Sequence, residues 1–183
     1  MLTTTAQPTR TAAPLLVAAA LGIAIAQFWS PISAAVVAAL VPLTAAARVD
    51  ALDRRLPDRL VALSAVPVGV VCLVDPFVDR LSALGGVVAG ASLLAVPLLA
   101  LHLIAPASMG FGDVKTSAAL GATLGLVDPV LSLWTLCLAS ALTAAWGVAR
   151  GERHVALGPG LVVAATVVLV VASGRGVEAV AWR

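Results

Sequence analysis

"MGFGDVKTSAALGATLG", Met109 to Gly125, sets an aspartate and a lysine two positions apart beside a glycine-rich turn, in a chain with almost no charge nearby. After the lysine come small and apolar residues in which Gly121 and Gly125 stand four positions apart, the spacing that lets helices approach backbone to backbone. Gly86 and Gly90, upstream, repeat that spacing. The stretch reads as a turn that enters a closely packed helix, with two full charges at its mouth.

The surroundings define the solvent. Of the 183 residues 61% are hydrophobic and 11% charged, with a mean hydropathy of +1.09. Soluble domains run at roughly 45 to 50% apolar and 25% charged, so the composition is that of an integral membrane protein. Tyrosine is absent and aromatics make up 4%, which leaves Trp29, Trp134, Trp146 and Trp182 as interfacial anchors. Cys72 and Cys137 lie 65 positions apart inside apolar runs, a pattern that speaks against a disulfide framework or a zinc pair. Both read as small buried hydrophobes. A net charge of +2 with no clustered basic face speaks against nucleic acid as a partner.

Apolar runs bounded by Pro, Gly or charge fall at 13–28, 32–48, 59–75, 81–105, 114–127, 130–149 and 155–173. They predict an all-α, polytopic membrane helix bundle of about seven transmembrane helices, several of them shorter than the roughly 20 residues a bilayer asks for. The fifth is the weakest, being short and glycine-containing. With the N-terminus inside, eight of the eleven Lys and Arg fall on the inner side: Arg10, Arg48, Arg54, Arg55, Arg59, Lys115, Arg150 and Arg153. Arg80, Arg175 and Arg183 fall outside. The positive-inside bias therefore predicts N-in and C-out, and reads the first run as a retained span rather than a cleaved signal peptide.

Between the second and third runs lies "RVDALDRRLPDRL", and between the fourth and fifth "PASMGFGDVKT". Two crossings separate them, so Asp50 and Asp113, 63 positions apart, return to one face of the membrane. Two carboxylates there suit peptide hydrolysis by an activated water, one ionised as base and one protonated as acid, because like charges a few Å apart do not both ionise. Gly110 and Gly112 flank Phe111 just before Asp113 and give the backbone access to an extended substrate segment. Gly158, Pro159 and Gly160 at the start of the last run form a second permissive wall. Each piece alone also has an ordinary reading: Asp113 as a helix cap, and "DALDRRLPDRL" as a solvated loop. Asp58 reads as a helix N-cap, Asp75, Asp79 and Asp128 as turn residues, His102 as a hydrogen-bonded structural histidine, and His154 and Glu152 as loop residues. Lys115 either favours the ionised form of Asp113 or reaches the lipid headgroups.

Together these segments resemble the type IV prepilin peptidase family, the GxGD-type intramembrane aspartic proteases. "DALDRRLP", Asp50 to Pro57, is similar to the family's aspartate seven positions before a Leu-Pro proline; "GFGDVK" resembles its GxGD-x-K segment; and "VALGPGLVVAA" resembles its late Gly-Pro segment. The resemblance spans about residues 32–173. It implies catalytic Asp50 and Asp113, with Gly110, Gly112, Lys115, Asp53, Pro57, Gly158 and Pro159 as motif or substrate-proximal residues. Asp53 offers a competing first aspartate, which the proline offset disfavours, and Thr116 stands where the family usually has an apolar residue.

The implied domain plan is an N-terminal transmembrane helix with a short cytoplasmic tail at 1–31, a protease core at 32–173 and a short tail at 174–183. The larger members' methyltransferase region, with its paired CxxC cysteines, has no counterpart in the residues before the core, so a peptidase-only member is expected. No cofactor is expected, and two histidines far apart, His102 and His154, with no HExxH helix speak against a catalytic metal. The resemblance implies a prepilin-like substrate with a basic leader and a hydrophobic helix, cleaved after a glycine at the cytoplasmic edge of a prokaryotic inner membrane. The competing expectation is a non-catalytic membrane subunit or small transporter that uses the same aspartates for ion coupling or assembly; such sites lie near the midplane, commonly between internal repeats, and no repeat is visible here.

Overall fold

The computed structural model describes residues 31–53, 58–74, 79–105, 110–151 and 157–174. Among them every regular element is helical: α1 Pro31–Asp53, α2 Asp58–Val74, α3 Arg80–Ile104, α4 Phe111–Gly125, α5 Val130–Arg150 and α6 Leu157–Gly174. Six of the seven apolar runs are thus helices with nearly the expected ends, while the first run, 13–28, lies outside the described residues. Two helices, Arg80–Ile104 and Val130–Ala149, are long and apolar enough to cross a membrane; Ile32–Ala47 and Leu157–Ser173 are shorter apolar helices. α1 runs past its apolar stretch to Asp53, so the segment holding Arg48, Asp50 and Asp53 is helical backbone rather than loop.

α4 touches every other described helix, and the remaining five close a ring around it in the order α1, α2, α3, α5, α6. This explains its weak apolar signal. A helix of 15 residues rises about 22 Å, too short for a 30 Å hydrocarbon layer, but one enclosed by other helices need not meet lipid along its length. It carries Thr116, Ser117 and Thr123, all buried, and each hydroxyl donates to a carbonyl of its own helix: Gly112, Val114 and Ala119, at 3.1, 2.7 and 2.9 Å. With its hydroxyls satisfied within the helix, α4 buries them at no cost of unpaired polar groups.

The tightest packing is between α3 and α4. Gly86 faces Gly125 and Gly90 faces Gly121, an antiparallel register in which a Cβ on any of the four would run into backbone of the opposite helix. At Gly90 it would lie 2.8 Å from the Gly125 Cα, and at Gly121 2.9 Å from the Ala91 Cα. Backbone cannot swing aside, so only glycine fits. The glycine Cα–H bonds point instead at carbonyl oxygens across the seam, the weak hydrogen bonds that recur at such crossings. Both glycine pairs expected to pack helices do so.

The outward faces are apolar. Leu73, Val88, Leu103, Trp134, Trp146 and Val167 are exposed, while the centre holds Leu40, Leu43, Leu94, Leu120, Leu124 and Leu161. Such an exterior is stabilised by lipid, not by water. Cys72 is buried as expected, but Cys137 is exposed on α5; an apolar run in a lipid-facing helix leaves some of its residues on the outer side, which corrects the reading of both thiols as buried. At the end of the bundle remote from Asp113, Asp79 caps α3 by accepting from the Ser82 N–H at 3.2 Å, and the Asp128 carboxylate accepts from the Val130 N–H at 2.8 Å. Asp75 lies outside the described residues.

Two outcomes follow from this packing. Gly90→Ala lowers the thermal midpoint in detergent by the equivalent of about 1–3 kcal/mol, whereas Gly69→Ala, whose Cβ would meet nothing within 4 Å, is neutral or gains up to about 1 kcal/mol from helix propensity; equal losses at both would contradict the seam. Hydrogen bonds from Ser82, from its side chain first, hold the exposed Asp79 carboxyl below the ordinary carboxylate range. A lowered folded value means that this contribution is present above the unfolded value and fades as pH falls through the folded one. Acid-scan unfolding of wild type and Asp79→Asn therefore converges at low pH and separates above the ordinary carboxylate range.

Candidate active site

The charged mouth lies where four helix ends meet. α1 ends and α2 begins there, α3 ends and α4 begins there, and the contacts of α2 and α1 with α4 bring the two pairs of helix ends to one end of the bundle. α2 and α3 run there and back, so the chain returns to the same end of the bundle. A direct bond fixes this: the Lys115 ammonium donates to the Asp58 carboxylate at 2.9 Å, joining the first turn of α4 to the first turn of α2 across 57 positions of sequence.

α4 opens at Gly110, an extended N-cap (φ −74°, ψ 145°) that makes no side-chain capping bond. Asp113 is the third helical residue, half-exposed, with its N–H donating to the Gly110 carbonyl at 3.2 Å. It is therefore not the cap. It sits in the first turn, where unpaired amides and the helix dipole favour a carboxylate. Phe111, half exposed, stands beside it with its ring centroid 5.7 Å from that of His102, the last-turn histidine of α3. Lys115 lies 5.5 Å from the centre of the same ring.

The remaining expected residues divide by what is described. Of Asp50 and Asp53 the backbone is described: both lie in the last turn of α1, three positions apart, at the same end as Asp113. Pro57, His154 and Glu152 lie outside the described residues. Asp58, expected as an N-cap, is the first residue of α2 and the partner of Lys115. That partnership was not legible in the sequence, because it joins two helix starts that only the fold makes neighbours. Gly112 is half-buried and its carbonyl receives the Thr116 hydroxyl. Gly158 is buried and Pro159 half-buried at the start of α6, and a Cβ on Gly160 would lie 2.6 Å from the Thr143 hydroxyl of α5, so this glycine serves the close approach of α5 and α6.

Chemically, the arrangement offers one carboxylate at a helix start, a helix end bearing two more aspartates, and exposed aromatic surface beside a glycine with no side chain in the way. Those are parts for binding an extended peptide and acting on it with carboxylates.

The description "type IV leader peptidase family" belongs to the family model that matches residues 37–148, more than half of the chain. The matched stretch runs from within α1 to within α5 and holds Asp50, Asp58, Asp113 and Lys115, and it stops short of the Gly158-Pro159 segment. No curated protein and no solved structure matches.

Thr116 offers a test of the local packing. Its hydroxyl is fully buried and bonds only within the helix, so Thr116→Val is expected to leave the thermal midpoint within about 0.5 kcal/mol of wild type and to leave activity unchanged; a loss of activity with an unchanged midpoint would give the hydroxyl a chemical role.

Proposed function

The chain belongs to the type IV leader peptidase family, a prepilin-type peptidase and membrane protein, and from that premise we propose that it is an intramembrane aspartic endopeptidase that uses Asp50 and Asp113. The observation that carries the reading is the Lys115–Asp58 bond, since it ties the start of α2, five positions after the helix end bearing Asp50 and Asp53, to the start of α4 bearing Asp113, which supports both aspartates acting at one end of the bundle.

In this reading a precursor lays its hydrophobic helix against the lipid-facing bundle, and its basic leader stays on the side to which the positive-inside bias assigns the inner turns. The segment between them is extended, which exposes the amides that a helix hides. One aspartate, ionised, takes a proton from water as the oxygen attacks the scissile carbonyl; the other, protonated, gives its proton to the leaving nitrogen. The products are a free carboxylate on the leader and a free amine on the mature chain. Small residues around Gly110 and Gly112 suit a scissile bond that follows glycine. Asp53, three positions from Asp50 on the same helix, holds water or the basic leader rather than the scissile bond. The seven-span topology, the inner-face location of the site and the inner-membrane address belong to the same proposal.

The test is cleavage of a co-expressed precursor, with a basic leader ending in glycine before a hydrophobic helix, read as a mobility shift and by sequencing the new N-terminus. Asp50→Asn and Asp113→Asn are each expected to slow cleavage by at least about a hundredfold, and Asp53→Asn to cut at a rate near wild type. Wild-type cleavage by Asp113→Asn would remove the aspartyl assignment at its centre and favour a non-catalytic membrane subunit.

A further inference from the structure

We propose that Asp58 is a positioning residue of this site: through Lys115 it holds the first turn of α4, and Asp113 with it, against the start of α2. The inference rests on the aspartyl reading above for its kinetic consequence, but its geometric content stands on the ion pair alone.

Two positions on a helix lie about 200° apart, so residues at i and i+2 do not share a face. Lys115 therefore reaches away from the side on which Asp113 stands, toward α2. The pair holds α4 from behind the carboxylate, a 2.9 Å bond that ties the start of α4 to the start of α2. Lys115 is steadied in turn by the Phe111 ring, 5.5 Å from the ammonium, and that ring by His102 at the end of α3. A chain of contacts, Asp58 to Lys115 to Phe111 to His102, thus runs from the start of α2, across the first turn of α4, to the end of α3.

The need for such a tie follows from the glycine seam. Gly121 and Gly125 fix the far half of α4 to α3. Asp113 stands eight positions before Gly121, about 12 Å along the axis, at a first turn where Gly110 and Phe111 are exposed and Asp113 is half-exposed. Seam and ion pair hold the helix at two separated points. The pair is well exposed, with the Asp58 side chain at 72% and that of Lys115 at 42%, so it contributes little to global stability. What it controls is placement, and a misplacement of about 1 Å at a reacting group costs on the order of a hundredfold in rate. Asp58 is also favoured where it stands, a carboxylate in the first turn of α2.

The experiment compares wild type, Asp58→Asn, Lys115→Gln, the two together, and the charge exchange Asp58→Lys with Lys115→Asp. Two readouts are taken: steady-state cleavage of the precursor, and the distance distribution between spin labels at Ala62→Cys and Gly110→Cys in a chain whose native cysteines are replaced. The expected result is a fall in kcat of about tenfold or more in each single variant, with KM and thermal midpoint unchanged. The neutral double variant is no worse than either single, and the charge exchange lies well above both. The label distance broadens in Asp58→Asn and narrows again in the exchange. A wild-type kcat and an unbroadened distance in Asp58→Asn would overturn the proposal, as would losses that multiply in the neutral double variant. If Asp113→Asn cleaves like wild type, the aspartyl reading fails by itself, and the label distances still decide whether Asp58 holds α4.

Discussion

Four glycines remove the side chains that would otherwise hold α3 and α4 at the 8 to 10 Å common for packed helices, and their backbones touch along Gly86–Gly125 and Gly90–Gly121. Lipid supplies no hydrophobic drive for helices to associate, so close van der Waals contact and weak Cα–H hydrogen bonds carry that task. The placement of α4 against α3 follows from this seam. It sets the register of α3 against α4, hence the place where His102 meets Phe111, hence the height at which Lys115 reaches Asp58.

Around that seam the bundle is apolar both within and on its outer faces, and the helix with the most buried hydroxyls, Thr116, Ser117 and Thr123, is the central one. α4 survives in the middle because every hydroxyl it buries bonds to a carbonyl of its own helix, so no polar group is left to a hydrocarbon surround. Its first turn is the part left open, and there the charges lie. A short central helix with its first turn open at one end, its neighbours enclosing the rest, is a means of presenting a carboxylate from an apolar bundle without burying it.

Much of this was legible residue by residue. The alternation of apolar runs with Pro, Gly and charge located six helices to within a few positions, because in a nonpolar solvent a helix is the one open segment that satisfies its own backbone. The four-residue glycine spacing announced the seam, and Asp79 and Asp128 announced their turns, since a short carboxylate beside an uncapped amide has a local use wherever the chain goes. Thr116, a departure from the apolar residue usual in the family, was legible only as an anomaly; its bond to the Gly112 carbonyl shows why a core position tolerates it.

Sequence by itself pointed to a helical chain with faces suited to lipid, and to Asp50 and Asp113 near ends of elements that run there and back, because length, hydropathy and element order are properties of the chain in order. Tertiary structure alone decided which helix is central, which cysteine faces outward and which partner Lys115 takes. Local spacing set Lys115 beside Asp113, two positions away, yet a helix turns those neighbours to different faces, and the carboxylate that meets the lysine is the one 57 positions earlier. A contact of that kind depends on the crossing of α2 and α4, and no stretch of sequence contains a crossing.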